Sequence, residues 1–287
     1  MKQTELTTVK QLLDDACREL KDNNVPEAEL NAWYLLVKAY EEAADKAVDK
    51  AWLFTHGDEE APEKVIAHLK SFVAHRAKGT PLEYITHETE FMGLSFYVDF
   101  RVLIPRQDTE CLVEEAMKHC KGKTVLDMCT GSGCIAISLE KLADCASVTA
   151  SDISSEALAV AKINAKNNNS NIEFIQSDLW KDITKKYDII TCNPPYIKRD
   201  VIPTLMREVK DFEPVLALDG GESGLDKYEL ILSEIKEHLN EGAMAFFEIG
   251  YDQGEAVSDL FEKAGFTSVK VTKDLAGNDR VVSGTFL

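Results

Sequence analysis

Val125-Leu126-Asp127-Met128-Cys129-Thr130-Gly131-Ser132-Gly133 begins as an apolar run and ends in a glycine turn. The pattern reads as a buried strand, a loop whose glycines let the backbone approach a ligand, and a helix starting near Gly133 with unpaired N–H groups. Gly131, Gly133 and Ala136 spell G-x-G-x-x-A, a permitted form of the dinucleotide fingerprint. A nicotinamide or flavin cofactor is one reading of the loop, and a plain tight turn in an α/β protein is another.

Downstream, strands and helices alternate. Strands are predicted at Thr124–Met128, Ser147–Ser151, Ile172–Gln176, Tyr187–Thr191, Ala243–Ile249, Ser268–Thr272 and Arg280–Thr285. Tyr228, Ile231, Leu232, Ile235 and Leu239 have helical spacing between two of them. Alternation of this kind specifies an α/β fold with a doubly wound, mainly parallel, seven-stranded sheet. Lys273–Asp279 is too short for a helical crossover, so the last two strands are expected to run antiparallel.

Upstream the period is helical. Val9, Leu12, Leu13, Ala16, Cys17 and Leu20 mark a helix that Thr8 and Gln11 could open with a capping box. Leu30 to Tyr40 and Pro62 to Val73 mark two more, and a short helix is expected over Asp45 to Phe54. From Glu90 to Pro105 apolar residues alternate among turn residues, which suggests a β-hairpin. The predicted organisation is a helical substrate-recognition domain (1–80), a hairpin linker (81–105) and an α/β domain (106–287).

Four polar residues fall near the carboxyl ends of successive strands: Asp127, Asp152, Asp178 and Asn193. Ligands of open parallel sheets bind there. The acidic Asp127 would repel a pyrophosphate and attract the ammonium and sulfonium of S-adenosylmethionine, which becomes S-adenosylhomocysteine on giving up its methyl. Cys129, Thr130, Gly131, Ser132 and Gly133 would cradle that cofactor. Asp152 would accept from its ribose hydroxyls, and Asp178 from its adenine amine beside Leu179, unless Asp178 merely caps a turn. Asn193-Pro194-Pro195-Tyr196 follows the fourth strand. Its prolines restrict the backbone and offer no N–H, so two acceptors and a ring are held rigidly, which suits gripping a planar NH2 group. A turn after a strand is the simpler reading of the motif in isolation.

The formal net charge of −18 disfavours non-specific nucleic-acid binding, which needs lysines and arginines to displace counterions. Seven cysteines with no C-x-x-C, and six scattered histidines, predict reduced thiols and no metal. The N-terminus has no apolar leader and no run spans a bilayer, so a cytoplasmic protein is expected. Trp33, Tyr34 and Trp52 are candidate partner contacts, although aromatics at helical spacing usually pack a core. Asp58-Glu59-Glu60 could meet a basic partner or simply be solvated.

Several longer segments carry a family resemblance: Gly79-Thr80-Pro81-Leu82-Glu83-Tyr84-Ile85, Ile104-Pro105-Arg106-Gln107-Asp108-Thr109-Glu110, Asn193-Pro194-Pro195-Tyr196-Ile197, Phe212-Glu213-Pro214, Ala217-Leu218-Asp219-Gly220-Gly221, Gly224-Leu225-Asp226 and Ala276-Gly277-Asn278-Asp279-Arg280. With the glycine loop they resemble the protein-(glutamine-N5) methyltransferases that modify peptide chain release factors. Asn-Pro-Pro-Tyr alone is shared with adenine-N6 and guanine-N2 enzymes of nucleic acids. The resemblance implies a class I S-adenosylmethionine-dependent methyltransferase fold and methyl transfer to the glutamine amide of a Gly-Gly-Gln sequence in class 1 release factors. It implies Asn193, Pro194 and Tyr196 as the catalytic groups, with Pro195 completing the substrate pocket. Low basic content predicts no direct nucleic-acid binding, and a monomer is expected. Gln107 stands where the family usually has proline, and Cys129 where it usually has glycine. A ribosomal-protein glutamine, a nucleic-acid amine, or a non-catalytic cofactor-binding module remain alternatives.

Overall fold

The computed structural model describes residues 7–287, which fall into two compact units divided at His87 and Glu88. In the first, helices α1 (Val9–Asp22), α2 (Ala28–Ala44), α3 (Lys50–His56), α4 (Glu63–Ala77) and α5 (Leu82–Thr86) form a bundle. The capping box is present: the Gln11 N–H donates to Thr8 Oγ1, and the Thr8 N–H donates to Gln11 Oε1. Leu20, Leu35, Leu36, Leu69 and Val73 fill the core. The short helix starts later than its apolar residues suggest. Asp45 ends α2 in the left-handed region, and Asp49 caps α3 by accepting from the Trp52 N–H. Trp33 and Trp52 pack against the core, Tyr34 is exposed, and Asp58–Glu60 are exposed.

The second unit opens with the hairpin β1 (Thr89–Phe91) and β2 (Leu94–Phe96). Its two turn residues, Met92 and Gly93, both have positive φ, as a tight right-twisting hairpin requires. Phe91 and Phe96 bury their rings beside α6 (Glu110–Met117). The remaining elements are β3 (Thr124–Met128), α7 (Cys134–Leu142), β4 (Ser147–Asp152), α8 (Ser155–Asn167), β5 (Ile172–Gln176), β6 (Tyr187–Cys192), α9 (Arg207–Lys210), α10 (Asp226–Glu234), β7 (Leu239–Glu248), α11 (Gly254–Lys263), β8 (Phe266–Lys273) and β9 (Asp279–Phe286).

One sheet holds β3 to β9 in the order β5-β4-β3-β6-β7-β9-β8. β3, β4, β5, β6 and β7 pair in parallel, and β9 runs antiparallel to both β7 and β8. β3 and β6 are buried on both faces, so apolar residues predominate in them without strict alternation. Tyr228, Phe247 and Phe261 lie in the core on one face, and Leu112, Ile137 and Phe246 on the other. Each fully buried large side chain contributes roughly 2–3 kcal/mol. Strand order reverses between β3 and β6, which sets the crevice for a ligand.

One buried amide secures the loop side of that crevice. Asn164, on α8, is fully buried and uses both ends of its side chain. Its Nδ2 donates to the Ser132 carbonyl at 2.9 Å and the Tyr97 carbonyl at 3.0 Å, and its Oδ1 accepts from the Tyr97 N–H at 2.7 Å. Asn164→Ala removes the bond to the buried Ser132 carbonyl and two bonds to the part-buried Tyr97 backbone. We expect it to destabilise the protein by roughly 3 kcal/mol or more, read as a lowered denaturant midpoint at unchanged slope.

Candidate active site

A cavity of about 280 Å³ opens at the carboxyl ends of the parallel strands. Of the residues picked from sequence, Cys129, Thr130, Gly131, Ser132, Asp152, Asp178, Leu179, Asn193 and Pro195 line it. Asp127, Gly133, Pro194 and Tyr196 lie outside the lining, each for a physical reason.

Asp127 is fully buried beneath the loop. Its carboxylate accepts from Thr130 Oγ1 at 2.6 Å and from Thr191 Oγ1 at 2.9 Å. Burial pushes it up to about 7, opposed by those two hydroxyls and the Ala136 N–H. In this structure Asp127 lies outside the cavity lining. It shapes the loop from below, and a sequence cannot show that two hydroxyls occupy its oxygens. Gly133 has φ +82°, and an added Cβ would lie 3.1 Å from Ala161 Cβ, so it serves the packing of α7 on α8.

Asp152 does face the cavity. Its Oδ2 accepts from the Gly131 N–H at 2.9 Å, which ties the loop to the end of β4. Burial raises its pKa, and the Ser154 and Gly131 N–H groups oppose the shift. Asp178 is exposed to the cavity. The turn-capping role falls to its neighbour, since Ser177 Oγ accepts from the Asp182 N–H.

Asn193 donates through Nδ2 to Thr109 Oγ1 at 3.4 Å, so the amide oxygen is the end left for the cavity. Pro194 is buried, and among the described residues no donor is bonded to its carbonyl. The Tyr196 ring is half-buried behind the lining, and its hydroxyl donates to Glu248 Oε1 at 3.2 Å. Burial first, and then the Glu248 carboxylate, push its pKa up. The Tyr196 carbonyl accepts from Gln253 Nε2, and Ile197 exchanges backbone bonds with Leu218 and Gly220. The loop is thus held from three sides.

Several further residues of the cavity wall were given no role from the sequence. Phe100, Val102, Arg106, Thr109 and Leu216 also line the cavity. Arg106 pairs with the buried Glu213, joining two of the segments quoted above. Arg280 pairs with Asp108 at 3.1 Å and Asp274 at 3.0 Å, joining a third segment to the one that holds Arg106. The available signal was that these segments carry lone charges of opposite sign beside prolines and glycines.

Cys129 has φ +58°, the left-handed region that favours glycine. A non-glycine residue there is strained by about 1–2 kcal/mol. Its side chain packs against buried Cys192 on the neighbouring strand. Cys129→Gly is expected to leave stability within about 1 kcal/mol of the parent, because relief of strain is offset by a more flexible unfolded chain. Cys129→Val, branched at Cβ, is expected to be less stable than Cys129→Gly by about 2 kcal/mol. Paired denaturant titrations check that order.

The family described as methyltransferase small domain matches residues 107–212. The family described as PrmC N-terminal domain matches residues 11–86. The release factor glutamine methyltransferase of Clostridium acetobutylicum is 43% identical over 242 residues, covering 82% of this chain and 85% of that protein. The release factor glutamine methyltransferase of Geobacter sulfurreducens is 37% identical over 282 residues, covering 98% of this chain and 97% of that protein. Among solved structures, a methyltransferase from Pyrococcus furiosus matches with a TM-score of 0.53 at 21% identity, covering 68% of this chain and 90% of that one. The last likeness shows the fold, a class I methyltransferase sheet. With the two relatives matched over most of both chains, the conclusion is that this chain belongs to the release factor glutamine methyltransferase family.

Proposed function

We infer that this protein transfers a methyl group from S-adenosylmethionine to the side-chain amide nitrogen of the glutamine in the Gly-Gly-Gln sequence of class 1 release factors. The observation that carries the reading is the Asn193 side chain. Thr109 engages its nitrogen, which leaves its oxygen as an acceptor at the cavity, next in sequence to the Pro194 carbonyl, to which no donor is bonded among the described residues. Family membership supplies the substrate class.

The residues present fit the cofactor. Glycine-loop backbone, one acidic side chain at the end of β4 and another beyond β5 share the cavity wall. Asp152 would take ribose hydroxyls, and Asp178 with Leu179 would take the adenine. Cys129 to Ser132 would line the remainder. Bound there, S-adenosylmethionine supplies an electrophilic methyl carbon.

The protein's task is to present the nucleophile. A primary amide nitrogen is weakly nucleophilic because its lone pair is delocalised into the carbonyl. It has two N–H donors. Asn193 Oδ1 and the Pro194 carbonyl can accept from both, which orients the nitrogen and stabilises the positive charge that grows on it during attack. Pro195 and Tyr196 hold these acceptors in place. No strong general base is required, since the proton can leave after the nitrogen is alkylated.

The same reading takes the enzyme as a cytoplasmic monomer with a protein rather than a nucleic-acid substrate. Among the described residues no helix is long and apolar enough to cross a membrane. The test is transfer of label from S-adenosylmethionine to a release factor, its Gln→Ala variant, a ribosomal protein extract and DNA. Label confined to the parent release factor is expected. Equal label on the Gln→Ala variant contradicts the reading, label on ribosomal protein or DNA redirects it, and label on none reduces the protein to a binding module.

A further inference from the structure

Gln253 stands just before α11, is almost completely buried and lies outside the cavity lining. Both ends of its side-chain amide are engaged. Oε1 accepts from the Gly250 N–H at 2.9 Å, and Nε2 donates to the Tyr196 carbonyl at 3.2 Å and to the Gly224 carbonyl at 3.1 Å. These partners fix the direction of the amide, because an N–H must meet its oxygen and two carbonyls must meet its nitrogen. One side chain thereby ties together the turn after β7, the Asn-Pro-Pro-Tyr loop and the turn before α10. Two glycines make room for it. Gly224 has φ +78°, and a Cβ there would lie 2.7 Å from the Tyr196 carbonyl oxygen and 3.0 Å from Gln253 Nε2. At Gly250 a Cβ would lie 3.0 Å from Gln253 Oε1.

We propose that Gln253 is a positioning residue for methyl transfer: it holds the Tyr196 main chain and, through it, the Asn193 and Pro194 acceptors. The inference rests on the function proposed above. The upstream end of the loop is set by Cys192, which pairs with Met128 on β3 and Phe247 on β7. Pro194 and Pro195 have no N–H, so neither can anchor the loop through a main-chain donor. Gln253 holds the residue that follows them. The Tyr196 carbonyl also shares its donor with the Gly224 carbonyl, so the loop cannot drift from the Gly224 turn without breaking a bond to a buried NH2.

Without that NH2, two carbonyls face each other with no donor between them. The main chain at Tyr196 must then move away from Gly224 or admit water. Either change carries the acceptors with it. A positioned group works only within about 0.5 Å of its productive geometry, and a displacement of about 1 Å can cost on the order of a hundredfold in rate. Cofactor binding should be spared, because Gln253, Gly224 and Gly250 all lie outside the cavity lining.

The experiment compares Gln253→Met and Gln253→Glu with the parent. Methionine keeps the length of the side chain and removes all three bonds. Glutamate keeps an acceptor for the Gly250 N–H and withdraws the NH2 from both carbonyls; even protonated, it has one hydrogen for the two of them. The expected result in both variants is kcat for the release factor lowered on the order of tenfold to a hundredfold, with KM changed less and cofactor Kd unchanged. Assays run below the melting point, with competent protein counted by cofactor titration, so unfolded material does not enter kcat. Crystal structures of the variants should show the Pro194 carbonyl displaced by about 0.5 Å or more on an unchanged sheet. If the methionine variant does not fold, Gln253→Glu decides. Parental kcat in Gln253→Glu would leave Gln253 as a brace of the Gly250 turn alone. Loss of cofactor binding would assign it to the cofactor site, and a lowered kcat with the loop in its parental place would separate it from positioning. Each of these three results overturns the inference. If the parent does not methylate the release factor, the functional reading fails, while the place of the Pro194 carbonyl in the variants still decides whether Gln253 positions the loop.

Discussion

Asn193→Ala is expected to lower kcat for glutamine methylation on the order of a hundredfold or more, with cofactor binding retained. The alanine removes an acceptor that acts as positive charge develops on the amide nitrogen, so the transition state loses more than the ground state. The fold should tolerate it. The one bond that Asn193 makes to Thr109 is long, and a long neutral bond is worth about 1 kcal/mol or less. The measurement is single-turnover transfer to a release factor at saturating S-adenosylmethionine, beside a cofactor titration. Near-parental turnover would remove Asn193 from the chemistry. Loss of cofactor binding instead would assign it to the cofactor alone.

Gly220→Ala is expected to cut activity by a comparable factor through a residue that lies outside the cavity lining. An added Cβ would sit 2.7 Å from both the carbonyl carbon and the Cα of Tyr196, and 3.0 Å from the Pro195 carbonyl oxygen. These are backbone atoms with no rotamer to give way, so the Pro195–Tyr196 segment must shift. Overpacking of this kind costs roughly 1–3 kcal/mol. A displacement approaching 1 Å at a positioning group can cost on the order of a hundredfold in rate. Because the Gly220 N–H donates to the Ile197 carbonyl at this contact, the shift acts on the loop that carries both acceptors. Activity assays at a temperature well below the variant's melting point separate displacement from unfolding. A variant with a parental rate would show that the loop accommodates the methyl without moving its acceptors.

The architecture was largely legible because the parallel strands are short, separated by helical spacing, and carry a polar residue at or near the carboxyl end, a pattern that depends on neighbours in sequence. The expected strand Tyr187–Thr191 ends one residue short of β6 (Tyr187–Cys192), whose Tyr187, Ile189, Ile190 and Cys192 are buried. The short third helix was less legible. Its start is set by the Asp49 cap and not by its apolar residues.

The site divides the same way. Asn193, Asp152 and Asp178 were identifiable from their positions at strand ends, which local sequence marks. Thr109 and Glu248 were not. Thr109 meets Asn193 across 84 residues, and Glu248 meets Tyr196 across 52. Only the closed sheet brings them together. Asp127 differs from them. Its place at a strand end resembles that of Asp152, but Thr130 and Thr191 turn its charge into an internal anchor. Cys129 was identifiable as a departure from the family pattern, while its left-handed backbone became visible only in the fold.

Mass-spectrometric localisation of the added methyl tests the central claim most directly. A release factor is incubated with the protein and S-adenosylmethionine, and its Gly-Gly-Gln peptide is fragmented. The account predicts the mass of one methyl group on the glutamine side-chain amide, absent when Asn193→Ala replaces the parent enzyme under single-turnover conditions. A methyl on any other residue, or an unmodified peptide with active, cofactor-loaded protein, would contradict it.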